Sequence, residues 1–154
     1  MERARRVAVD DSAAAAADYA DSFRIDLAEP DTRSAEQWLR DALERSPAVR
    51  WIVLVVHRHV LRFQLGPLDD DHVIGWRIAG SEPDVVRLQA SSPLFRGQIE
   101  GRRFGRTATT VTTTLRYGRP VLSRVIWTIV GPLHRRIAPY LLERAAGVSR
   151  RTSV

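Results

Sequence analysis

The chain is 154 residues long, 44% hydrophobic and 27% charged, which supports one folded domain and excludes disorder along its length. It has no cysteine, so disulfides, thiol nucleophiles and cysteine-ligated zinc are excluded. Its formal charge of +6 is lopsided and rests wholly on arginine, since residues 101–154 carry eleven Arg against Glu143 alone.

Residues 1–17 mix Arg, Asp and Ala without an apolar period and are expected to form a flexible arm, leaving the folded domain at 18–147. From Tyr19 to Leu27, the residues Tyr19, Phe23, Ile25 and Leu27 alternate with mostly polar ones, the period of a half-buried strand. A helix follows in which Ala35, Trp38, Leu39, Ala42 and Leu43 make one apolar stripe; Asp31 or Ser34 is placed to cap it. Pro47 suits the first turn of a second helix, whose apolar face takes in Val49, Ile52, Val53, Val56, Val60 and Phe63 before Gly66-Pro67 ends it.

After three aspartates at 69–71 the period changes to two. Strands are expected at 72–79, with Ile74, Trp76 and Ile78 on one face, and at 85–90, with Val86, Leu88 and Ala90. Two more follow, with Phe95, Gly97 and Ile99 alternating in the first and Val111, Leu115 and Tyr117 sharing a side of the β-branched run 107–117. Short turns between them imply an antiparallel meander. The stretch 120–146 returns to helical spacing, with Leu122, Val125, Ile126, Ile129, Leu133, Ile137 and Tyr140 as its apolar face. Pro132 and Pro139 should kink or divide it, Gly147 should end it, and 148–154 should be a flexible tail.

The order of strand, two short helices, four strands and a long helix is α+β, with the helices covering one face of a curved antiparallel sheet. Together with Pro-Ala-Val-Arg-Trp at 47–51, Arg-Phe-Gln-Leu-Gly at 62–66, Val-Ile-Gly-Trp-Arg at 73–77, Gly-Pro-Leu-His-Arg-Arg-Ile at 131–137 and Tyr-Leu-Leu-Glu-Arg at 140–144, this order resembles the START-like, polyketide-cyclase-like (SRPBCC) helix-grip superfamily, and within it an uncharacterised bacterial family. The resemblance covers about residues 18–146. It implies a cavity between the sheet and the C-terminal helix that holds a lipid, polyketide or hormone-like molecule, with cyclase activity in some members. Such domains usually have seven strands; five are visible in the sequence.

Candidate site residues follow from this arrangement. His134, beside Pro132, is placed to act as an acid or base with Tyr117, although no acid stands out as its partner. Trp76, Leu88, Ile99, Thr113 and Tyr117 belong to the inward set of the sheet, and Ile129 and Leu133 to the helix that closes it; these are the expected ligand contacts. Arg103 shares the inward parity of Phe95 and Ile99 and would meet an acidic ligand, unless a bulge at Gly101 or the strand end turns it to water. His57 and His59 lie two apart on a helix, so they diverge and suit the edge of the core better than a shared metal. No metal and no cofactor is expected.

The threonine run 107–114 lacks a base and orienting acid at nearby spacing, which excludes a serine-hydrolase reading, and no phosphate-binding loop is present. The expected partner is an apolar small molecule. The alternative is a non-catalytic module whose basic C-terminal face meets nucleic acid or anionic lipid. Aromatic residues do not interleave with the arginines, which weighs against nucleic acid. A homodimer is left open. With no signal-like leader and no apolar run of spanning length, a cytoplasmic location is the expectation.

Overall fold

The computed structural model describes residues 3–152, with side-chain surroundings given as far as Gly147. Seven antiparallel strands form one open sheet: β1 (Arg5–Val7), β2 (Tyr19–Asp26), β3 (His72–Val73), β4 (Trp76–Glu82), β5 (Val85–Ser91), β6 (Phe95–Phe104) and β7 (Ala108–Tyr117). Their spatial order is β1-β2-β7-β6-β5-β4-β3, so the meander β3 to β7 closes back onto β2. The helices are α1 (Asp11–Ala15), α2 (Ala35–Glu44), α3 (Pro47–Val55) and α4 (Pro120–Thr152). Helix α2 packs over β3 to β6 and α4 over β2 and β7; the two helices also touch, so both cover one face.

The two strands beyond the expected five have local causes. The first lies in the segment expected to be a flexible arm, where Arg5, Arg6 and Val7 pair with Arg24, Phe23 and Ser22 and α1 follows. Three residues with one partly buried side chain carry no hydrophobic period, so only the neighbouring strand defines them. The second arises because the expected strand 72–79 is a hairpin. Ile74 and Gly75 both take left-handed backbone angles, φ 50° and 83°, which bring Val73 opposite Trp76 in a two-residue turn. Gly75 suits that conformation; Ile74 does not, and it is held there fully buried with its N–H on the Glu44 carboxylate at 2.7 Å.

Local signals place the helices. The Ser34 hydroxyl accepts the Gln37 N–H and starts α2, while Asp31, the other expected cap, is buried against the Arg33 guanidinium at 2.6 Å. The α2 stripe Ala35, Trp38, Leu39, Ala42 and Leu43 is buried as its spacing implies. Ser46 caps α3 with Pro47 in its first turn. At its end α3 widens into a π-turn at Val56–Val60, with the Leu61 N–H on the Val56 carbonyl at 3.0 Å.

Helix α4 departs most from expectation. It continues through Pro132 and Pro139 without being divided and runs past Gly147, so the backbone of 148–152, expected as a loose tail, is helical; 153–154 lie outside the described residues. Its packed side is also a different one. Ser123, Trp127, Val130, Leu141, Leu142, Ala145 and Ala146 are buried, whereas Leu122, Val125, Ile129, Leu133 and Tyr140 are exposed. The helix is apolar around most of its circumference, so periodicity alone could not choose a side. Small Ser and Ala positions around one Trp let the backbone approach the sheet closely, and that fit decides.

Candidate functional site

Between the concave sheet face, α2, α3 and α4 lies a cavity of about 110 Å³. Its walls are mostly aliphatic and aromatic: Leu39, Ala42 and Leu43 from α2, Ile99, Val111 and Leu115 from the sheet, and Val130, Ile137 and Leu141 from α4. Trp76 fits into the sheet wall because residue 97 is glycine; a Cβ there would lie 2.6 Å from the Trp76 ring. Phe63 stacks beside Trp76 at 4.9 Å between ring centroids.

Polar groups enter this wall from three elements. The π-turn carries His57 to the cavity, where its Nδ1 accepts the Trp76 Nε1–H at 3.0 Å. That bond requires Nδ1 to be unprotonated, so the neutral ring carries its proton on Nε2. Burial among apolar groups, with His134 close by, lowers the His57 pKa to about 3, so it stays neutral. Across from it, α4 contributes His134, and β7 contributes Thr113.

Behind His134 stands Asp21, almost fully buried on β2 as the cross-strand partner of Thr113. Its Oδ2 accepts the Tyr19 hydroxyl at 2.5 Å and lies 2.9 Å from His134 Nε2, close but out of line for a hydrogen bond. Burial and this carboxylate push the Tyr19 hydroxyl pKa up to about 12, which keeps it a donor. Arg135 reaches the same hydroxyl at 3.4 Å. Trp127 packs edge-on against Tyr19 and tilted against His134. Among the described residues, three buried polar atoms here, Asp21 Oδ1, His134 Nε2 and Trp127 Nε1, find no hydrogen-bond partner.

The expected site residues divide cleanly. Trp76, Ile99, Thr113, Leu133 and His134 line the cavity. Leu88 is sealed in the core beneath α2 and does not reach it. Tyr117 lies at the far end of β7, edge-on to Phe95, with its backbone N–H on Asp18, and is not part of the site as acid, base or ligand contact. Ile129 is 74% exposed on the outer side of α4, a consequence of the rotated helix face. Arg103 keeps the inward parity, since β6 pairs without a bulge, but at the sheet end it donates to the Asp31 carbonyl rather than facing the cavity or open water. The bulge occurs instead in β4, between Ile78 and Gly80.

Asp21, Tyr19, His57 and Trp127 were missed. For Asp21 a signal existed: it occupies the inward parity of Tyr19, Phe23 and Ile25, an acid in an apolar row. For His57 none did, because a π-turn shifts the side-chain register that an α-helical period assumes. His59 is exposed, so the two histidines diverge. Compared with family models, curated proteins and solved structures, the chain matches none. Among the described residues no helix is long and apolar enough to cross a membrane.

Proposed function

We propose that the protein binds an apolar, ring-bearing small molecule of polyketide type in this cavity, with a hydroxyl or carbonyl of the guest turned towards His134. The observation that carries this reading is an otherwise apolar enclosure whose wall holds His57, Thr113, His134 and the buried, unpartnered Nε1–H of Trp127. A buried donor is costly without a partner, and a guest's polar group would supply one. The element order is compatible with a helix-grip domain of the START-like type, in which a guest lies between sheet and terminal helix. At about 110 Å³ the cavity is smaller than the ~150 Å³ dry cavity that admits benzene, so even a single-ring guest needs the side chains at its mouth to give way. A multi-ring guest needs α3 and α4 to part.

Acid–base chemistry is the catalytic form of the same reading. His134 would take or deliver a proton at the guest's oxygen, with Asp21 as the positioning residue behind it, while neutral His57 offers its Nε2–H as a hydrogen-bond donor. Holding a flexible chain in one folded geometry would then favour ring closure, as a cyclase requires.

Titration with 4-methylphenol and with toluene, followed through the cavity tryptophans Trp76 and Trp127, tests the reading. The phenol is expected to bind about tenfold or more tightly than toluene, and Asp21→Asn and His134→Leu to remove that difference. Absence of saturable binding by either compound, with no small molecule retained in native mass spectrometry, would overturn it.

A further inference from the structure

Helix α4 is apolar on two sides, and only one is packed. Taking 100° per residue, the exposed residues Leu122, Val125, Ile129 and Leu133 centre roughly 135° from the packed side. Their spacing of three and four makes a continuous ridge. At the cavity mouth α3 exposes Ile52, with Trp51, 67% exposed, next to it in the chain. Ile52 and Leu133 are exposed and also line the cavity, so the ridge ends at the cavity mouth. A contiguous apolar surface of this kind on a folded domain marks a contact site.

The charges around the ridge point to its occupant. Arg136 falls within it, Arg144 follows exposed Tyr140 on the same side and Arg119 precedes it, and among the described residues none of the three pairs with a carboxylate. The only acid on α4 is Glu143, which already accepts the Ala4 N–H at 3.0 Å. A second copy of the chain docked symmetrically through this face would oppose arginine to arginine. Nucleic acid would satisfy the arginines but not the aliphatic ridge. An anionic bilayer surface satisfies both, because aliphatic side chains enter the acyl boundary while arginines reach up to the phosphates.

We infer that the α4 ridge, with Trp51 of α3, docks the protein on anionic lipid surfaces and turns the cavity mouth towards the acyl layer. Docking needs only the exposed ridge, so it stands whether or not the cavity holds a guest.

Vesicle flotation tests it, with vesicles of phosphatidylcholine alone and of equimolar phosphatidylcholine and phosphatidylglycerol. The protein is expected to float with the mixed vesicles at low salt, to be released by high salt, and to show a blue-shifted tryptophan emission that Trp51→Ser removes. Val125→Asp with Ile129→Asp should weaken partitioning about tenfold or more with unchanged circular dichroism. Arg136→Glu with Arg144→Glu should weaken it too, and serves as the readout if the aspartate pair does not fold. No partitioning into mixed vesicles at low salt would overturn the inference. So would a solution dimer that Ile129→Asp splits, or salt-sensitive binding of duplex DNA in place of vesicles.

Discussion

The two sides of α4 have opposite fates, and the more aliphatic side is not the one that packs. One presents Ser123, Trp127, Val130, His134 and Ala138 to the sheet; the other presents Leu122, Val125, Ile129 and Leu133 to solvent. The larger aliphatic residues are on the outside. Shape, and hydrogen bonds such as that from Ser123 Oγ to the Leu94 carbonyl at 2.6 Å, select the packed side. As a result, the packed side carries the one histidine of α4 to the cavity, and the other side stays exposed.

The sharpest way to break this comparison is to truncate one large residue on each side. Trp127→Ala is expected to cost about 3–5 kcal/mol in urea unfolding, as for other buried aromatics. Ile129→Ala should stay within about 0.5 kcal/mol. Equal losses would mean that the helix is rotated from the orientation described.

A smaller effect is expected in the sheet wall that faces the packed side. Gly97→Ala would place a Cβ 2.6 Å from the Trp76 ring and should cost about 1–3 kcal/mol. Trp76→Phe in the same chain should recover part of it; no recovery would locate the strain elsewhere.

Acid sensitivity sharpens the contrast at the cavity. The His57 pKa of about 3 in the folded protein lies below its ordinary value. Between the two, the unfolded chain takes up a proton that the folded one refuses, so stability falls as the pH drops below about 6.5 towards 3. Relative to His57→Gln, which keeps an acceptor for Trp76, the parent protein should lose on the order of 2 kcal/mol more between pH 8 and pH 5. Parallel pH profiles would contradict the buried neutral imidazole.

Among changes on the packed side, Ser123→Ala should show the least, about 1 kcal/mol, from the lost bond to the Leu94 carbonyl, which keeps the Gly118 N–H, and from the Arg119 N–H that loses its acceptor.

Legibility in the sequence followed how local the determining physics is. The α2 stripe, the Ser46-Pro47 start of α3 and strands β5 to β7 were readable because capping and periodicity act within a few residues. The edge strand β1 was not, since its only determinant is the neighbouring β2. The face of α4 was not, since aliphatic residues ring the helix. At the site, His134 and Thr113 were reachable by parity and position, and Asp21 could have been found as a polar residue in an inward row. His57 depended on a π-turn and Trp127 on the packing of α4, neither of which leaves a mark in hydrophobic spacing.

Crystals soaked with 4-bromophenol, read by anomalous scattering from bromine, test most directly whether this enclosure takes a guest. The expected result is a single bromine peak among Leu39, Val111 and Leu141, with the phenol oxygen within hydrogen-bond distance of His134. A fully occupied ligand elsewhere on the surface, with the cavity walls unmoved and empty of density, would contradict it.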